Sequence, residues 1–253
     1  MAQDSRQEDL RRQIRLSGPE RDNCQEAVGA CAYGGNMRIA IVGGHGKVAL
    51  ELHPLLVRAG HTPVALVRSE NYRAELESLG AEVGLLDIES QDATEFAAAF
   101  EGCDAVVFAA GGGPDGNIER KRTVDLEGST KSVEGAEKAG IRRFVQVSAI
   151  SVDEPVPDDA PEVWKAYVAA KRDADVAVRA SNLDWTILRP GTLTDDPATG
   201  QVRLAPKLER GKITRADVAA VIVGLLDDDA TIGKQWELVS GDASVTDAIA
   251  AAL

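Results

Sequence analysis

The sequence predicts a doubly wound α/β fold: a mainly parallel sheet with helices on both faces and a small, less regular C-terminal region. Three observations predict it. From Met37 onward, short apolar runs alternate with helix-length stretches, the pattern of successive strand–helix units. Gly60, Gly80, Gly102 and Gly140 each fall where a helix gives way to the next strand, a position that wants a left-handed cap. Apolar residues make up 44% of the chain and aromatic ones only 4%. The core is then built from Val, Ile, Leu and Ala, as in a buried parallel sheet covered by alanine-rich helices.

The elements follow in order. "RIAIV" predicts a strand at 38–42, and the stretch after its glycine-rich turn predicts a helix over 47–58. Strands follow at 63–67, 82–86, 105–109, 144–147 and 185–188. Helices lie between them at 72–78, 92–100, a long one ending near 139, and 164–180. Right-handed crossovers connect such strands. After Pro190 the pattern loosens to a short strand at 201–204, an apolar helix at 216–226 and a late strand at 236–239. Residues 1–36 are polar, mixed in charge and weakly periodic. They predict a poorly ordered N-terminal extension with a short helix around 8–14, so the functional domain begins at Met37 and spans 37–253.

The net charge of −13 disfavours nucleic acid and anionic membranes as partners. No apolar run reaches the roughly 18 residues that span a bilayer. Cys24, Cys31 and Cys103 fit neither a zinc pattern nor a disulfide framework. With no apolar leader segment, a cytoplasmic location is expected. His45, His53 and His61 show no metal spacing, so no metal is expected; His53 and His61 read as helix-surface or turn residues.

The strand at 38–42 runs into "GGHGKVA". Gly43, Gly46 and Ala49 give a G-x-x-G-x-x-G/A spacing between a strand and a helix. Small residues there permit the tight turn, close approach of a pyrophosphate, and close helix–strand packing. The helix start offers free N–H groups and a positive dipole end. The turn as a whole, Gly43, Gly44, His45, Gly46, Lys47 and Val48, is therefore a candidate dinucleotide cradle. The second strand ends in Arg68-Ser69 with no carboxylate before Glu70. An arginine fork and a hydroxyl suit a 2′-phosphate, which favours NADP(H) while leaving NAD(H) possible. At the end of the third strand, Asp87 and Ile88 suit an adenine amino group and ring; a turn cap is an equally open role for Asp87. Ala109, Ala110 and Gly111 leave room at the end of the fourth strand.

Tyr167 and Lys171 form Y-x-x-x-K, one face of a helix. A lysine cation beside the phenol is expected to lower the tyrosine pKa and favour an acid–base role. Ser148, at the end of the fifth strand, is placed to hydrogen-bond a substrate carbonyl; Ser151 is a weaker competitor. The spacing alone is weak, and the inference rests on placement after the fifth strand.

From Met37 to Leu253 the chain resembles the atypical short-chain dehydrogenases/reductases of the NAD(P)H-binding, NmrA-like kind. The resemblance lies in "GGHGKVA", "YVAAK", "RDADVAVRASNLDWTILRPG", "ITRADVAAVIVGLL" and "WELVSGD". It implies a Rossmann-type sheet with a substrate-facing C-terminal part, NADP binding, Ser148, Tyr167 and Lys171 as a catalytic trio, and Pro190, Gly191 and Thr192 beside the nicotinamide. His45 and Ala49 depart from that group's turn, and its active-site asparagine has no clear counterpart. The expected activity is hydride transfer from NADPH to a carbonyl, quinone or flavin-like small molecule, by a monomer or homodimer. A redox-silent dinucleotide sensor and a sugar-nucleotide epimerase or dehydratase are the alternatives.

Overall fold

The computed structural model describes residues 35–113 and 115–253. The expected N-terminal extension and its short helix lie outside the described residues, apart from Gly35 and Asn36. Nine strands form one sheet in the order β11-β8-β10-β6-β5-β4-β1-β2-β3. The parallel part comprises β1 (Arg38–Val42), β2 (Thr62–Val67), β3 (Glu82–Leu85), β4 (Ala105–Phe108), β5 (Arg143–Val147), β6 (Asp184–Pro190) and β10 (Lys234–Ser240). The antiparallel edge is β8 (Gln201–Ala205) and β11 (Ala243–Ser244). The order reverses at β1, whose neighbours are β2 and β4. A crevice opens at such a switch point, beyond the carboxyl ends of the strands.

Two helical layers cover the sheet. On one face α1 (Lys47–Arg58) and α6 (Arg215–Leu226) bury Leu52, Leu56, Ile222 and Leu225 against Ile39, Ile41, Val107 and Leu238. The alternate residues Ala40, Val42, Val106 and Phe108 face the other layer, as the two-residue period of a strand requires. There they meet α3 (Ala93–Ala99), α4 (residues 118–138) and α5 (Glu162–Ala180). The short helix α2 (Arg73–Ser78) seals the β2 end through Leu76, beside Ala65 and Val67.

The α4 helix is not uniform. Residues Lys121–Leu126 form a π-helical segment between α-helical Ile118–Arg120 and Glu127–Lys138. The segment buries Lys121, Val124 and Asp125.

The strands and helices expected from the sequence are present with ends shifted by a few residues. Four elements were not anticipated. A two-stranded parallel pair, β7 (Thr192–Thr194) with β9 (Lys212–Thr214), stands beside the main sheet. The edge strand β11 and the terminal helix α7 (Val245–Ala252) complete the chain. The strands are two or three residues long, too short for a periodic signal. The last quarter is thus mostly part of the same layered body. Among the described residues no helix is long and apolar enough to cross a membrane.

Candidate functional site

At the carboxyl ends of β1, β2 and β4 two adjoining cavities meet, of about 240 and 640 Å³. They share Gly46, Ala109, Ala110 and Gly111 as a common wall. Gly43 has φ +83°, and a Cβ there would lie 2.8 Å from Ala110 Cα. A Cβ on Gly44 would lie 2.7 Å from Ala65 Cα. The turn is therefore restricted to glycine by its neighbours as well as by its own dihedrals. Gly46 is the N-cap of α1 and no side chain caps that end, which leaves the start of the helix for an anion.

His53 was expected at the helix surface, and the structure corrects this. It is fully buried and its Nε2 donates to the Gly44 carbonyl at 2.7 Å. Burial lowers its pKa, against the raising effect of that carbonyl and with a smaller lowering effect from His45. The neutral ring thus ties the glycine turn to the interior of α1. His61 is also buried, accepting from Met37 N through Nδ1 and paired with Asp227 through Nε2. Both histidines had only local sequence signals, and each is fixed by a distant or non-helical partner.

The smaller cavity is lined by Gly43, Gly44, His45, Arg68, Asp87 and Ile88, with Tyr72 and Arg120 among the rest. His45 stacks on Tyr72 at 3.9 Å and pairs with Glu75 at 2.8 Å. Arg68 is exposed at the mouth of the cavity. Asp87 accepts from Glu89 N. Burial works to raise its pKa, but hydrogen bonds from Glu89 and Ser90 and the Arg68 charge bring the net shift downward. Asp87 therefore caps a turn, one of the two roles left open by the sequence, and it also lines the cavity. Ser69 departs from expectation. It does not line the cavity, and its Oγ accepts from Asn71 N as the cap of a 3₁₀ turn.

The larger cavity brings together Lys47, Val48, Ser148, Tyr167 and Lys171. Lys171 is buried, with Nζ 3.2 Å from Asp125 Oδ1 and donating to the Val147 carbonyl at 3.2 Å. Asp125 Oδ2 accepts from Gly112 N at 2.9 Å. Burial works against the Lys171 charge, but Asp125, together with Tyr167 and Asp175, outweighs it and the pKa rises. The ammonium is thereby spent on a carboxylate. At half-buried Tyr167, desolvation raises the pKa; Lys171 lowers it, Asp125 and Asp175 raise it, and the net shift is upward. The expected shift toward phenolate is thus reversed: burial is the largest cause, and Asp125 and Asp175 add to it against the lysine. Tyr167 remains a neutral phenol, which donates a proton.

Ser148, which lines the larger cavity, has an internal partner. Its Oγ donates to Asp175 Oδ2 at 2.8 Å, and Asp175 accepts from Arg189 Nε at 2.8 Å. With its proton turned inward, Ser148 offers the cavity a lone pair. Ser151 lines a different surface groove and takes φ +59°, with its N–H held by Glu237. Pro190, Gly191 and Thr192 line neither cavity; Leu193, next in sequence, does.

Sequence reasoning missed Asp125, Asp175 and Arg189. Asp175 had a signal: it lies one further helical turn beyond Tyr167 and Lys171. Asp125 had none, since its direction depends on the π-helical segment, a feature that recurs at functional sites. Gly112 is tied to the same segment, because a Cβ there would lie 2.7 Å from the Arg120 carbonyl oxygen.

The turn fits a dinucleotide pyrophosphate on these grounds: a cradle that any side chain would fill, and an uncapped helix start behind it. Comparison with known proteins agrees. Residues 43–229 match the model of a family described as NAD(P)H-binding. The Bacillus subtilis (strain 168) protein YhfK, named as an uncharacterized sugar epimerase, is 38% identical over 214 residues, covering 84% of this chain and 99% of that protein. A solved Bacillus halodurans protein, named as an NAD-dependent epimerase/dehydratase, is 40% identical with a TM-score of 0.80, covering 85% of this chain and all of that one. The anaerobillin reductase ChuY of Escherichia coli O157:H7 is 27% identical with a TM-score of 0.67, over 82% of this chain and 98% of that one. The chain belongs to the NAD(P)H-binding family, among the epimerase- and reductase-like Rossmann proteins of the atypical short-chain dehydrogenase/reductase kind.

Proposed function

We propose that the protein is an NADPH-dependent oxidoreductase that reduces a carbonyl, quinone or flavin-like acceptor. The observation that carries this reading is the continuity of the two cavities across the Gly46–Ala109–Ala110–Gly111 wall. It sets Arg68 at one end and Tyr167 at the other. Gly43, Gly44, Gly46 and Val48 would hold the pyrophosphate, Arg68 the 2′-phosphate, and Asp87 and Ile88 the adenine. When bound, NADPH supplies the hydride. Tyr167, kept neutral, gives its proton to the acceptor oxygen. Lys171, held as a cation by Asp125, fixes the floor of the cavity. Leu193, Val163 and Trp164 line the same cavity and limit water around the reacting groups.

A second reading, an epimerase, is favoured by the names of two relatives. It calls for a tyrosine that abstracts protons, and the upward shift at Tyr167 opposes that. Fluorescence titration with NADPH and NADH, followed by a screen of acceptors at the NADPH absorbance band, tests the proposal. NADPH binding at least tenfold tighter than NADH, with turnover of some acceptor, is the expected result. Equal affinities would remove the Arg68 argument. Tightly bound NAD⁺ carried through purification, with no acceptor reduced, would favour the epimerase.

A further inference from the structure

We infer that the larger cavity takes an anionic amphipathic substrate, one whose carboxylate or phosphate sits between Lys47 and Arg215. This rests on the reading of that cavity as the reaction site and adds the class of molecule it accepts.

In a chain of net charge −13, this cavity is lined by Lys47, Lys121, Lys171 and Arg215 but by only one carboxylate, Asp125. Lys171 and Asp125 neutralise each other in the floor. Lys121 donates to the Gly113 carbonyl and stands 5.7 Å from the centre of the Tyr167 ring, so its charge faces the reacting group. Lys47 and Arg215 stand at the rim, and neither lines the cavity on the adenosine side. They come from the starts of α1 and α6, so two helix N-termini reinforce them.

Both rim cations are bridged by a single carboxylate, Asp195. Lys47 Nζ lies 2.6 Å from its Oδ2, and Arg215 holds its Oδ1. Asp195 is exposed, with 61% of its side-chain surface accessible, so this bridge is weak in water. It shows what the pair of cations accepts: one oxyanion held by both. Lys47 and Arg215 stand between the cavity and an outer groove that they line with Asp195, Glu51 and Asp196; none of these three carboxylates lines the cavity. The cavity also has apolar lining that includes Val163, Leu193 and Trp164, the last 39% exposed. A neutral polar compound would leave the cations on their internal carboxylate, and an anion without an apolar body would leave Trp164 in water. An apolar body bearing one oxyanion satisfies both walls.

The test uses full-length protein saturated with NADPH and three probes: 2-naphthoate, its methyl ester and 2-naphthyl phosphate. Calorimetric titration should show both anions binding at least tenfold tighter than the ester, with the advantage shrinking as salt rises. Arg215→Gln should reduce that advantage to about twofold or less while NADPH affinity holds. Asp195→Asn, an exposed change that frees both cations, should strengthen anion binding several-fold. Ester binding equal to the anions, or an Asp195→Asn protein that binds anions no better than the parent, would overturn the inference. The aldehyde counterpart, 6-formyl-2-naphthoate, separates the two claims. Anion preference without its reduction supports the binding site and counts against the reductase reading. Its reduction at the same kcat/KM as the methyl ester of that aldehyde counts against the anion site alone.

Discussion

The two cavities on either side of the glycine turn are built by different means. The smaller cavity is made mostly by short stretches at the ends of β1, β2, β3 and β4, with Arg120 and Val124 of α4, and much of its shape is backbone held by close contacts. Its charged side chains, Arg68 and Asp87 among them, are set near the surface. The larger cavity is made by residues drawn from 46 to 215. The polar groups in its floor are buried and paired: Lys171 with Asp125, and Ser148 with Asp175, which also holds Arg189. The difference teaches that cofactor grip here is a property of local chain geometry, whereas proton chemistry is a property of a long-range network.

That contrast can be broken by four measurements. The largest effect is expected from Tyr167→Phe, which removes the proton donor and should lower kcat by about 10²–10⁴, with NADPH affinity unchanged. A matching loss of cofactor affinity would mean the cavities are not separable. In the parent, the basic limb of the reductive pH profile should lie above about 10, the ordinary phenol value, because Tyr167 is shifted upward. A limb near neutrality would contradict the neutral phenol.

Next comes Gly44→Val, whose Cβ would meet the backbone of β2. Dinucleotide affinity should fall about a hundredfold, about 3 kcal/mol, with circular dichroism checking the fold. Arg68→Gln should follow, costing NADPH about tenfold and NADH little, since one charged hydrogen-bonding group to the 2′-phosphate is lost. A uniform loss for both dinucleotides would assign Arg68 a structural role.

His53→Leu sharpens the comparison from beneath the turn. Losing the bond to the Gly44 carbonyl should cost about 1–3 kcal/mol of stability and a few-fold in cofactor affinity; His53→Gln should restore part of each. The pH dependence has a definite sign. A base whose pKa is lowered by folding binds fewer protons in the folded state, so acid favours unfolding. The His53 contribution to stability is therefore complete above about 6.5, the ordinary imidazole value, and declines as pH falls below it. Thermal melts of parent and His53→Leu should converge as the pH is lowered through that window. Curves that remain parallel would exclude the imidazole as their cause.

The sheet, its switch point and the glycine turn were legible because each depends on neighbours in sequence. "RIAIV" followed by "GGHGKVA" carries strand, turn and helix within a dozen residues, and Tyr167 with Lys171 shares a helix face by spacing alone. What remained hidden depends on residues far apart. The upward shift at Tyr167 comes first from its burial in the assembled fold, and then from Asp125, carried by the π-helical segment, and Asp175. Whether Ser148 would donate into the cavity was decided by Asp175 and Arg189. The inward turn of His53 depended on which face of α1 meets the sheet. Pro190, Gly191 and Thr192 were carried by resemblance alone, and Leu193, next in sequence, lines the larger cavity.

One packing contact has a consequence for how the protein matures. The hydrophobic faces of α1 and α6 meet on the same side of the sheet, with Leu52 and Leu56 in one cluster with Ile222, Leu225 and Trp236. The helix behind the glycine turn thus leans on a partner encoded more than 150 residues later. During synthesis, a nascent chain that has already made β1 through β5 still lacks that brace. The part of α1's apolar packing that α6 supplies can form only once the last fifth of the polypeptide has been made.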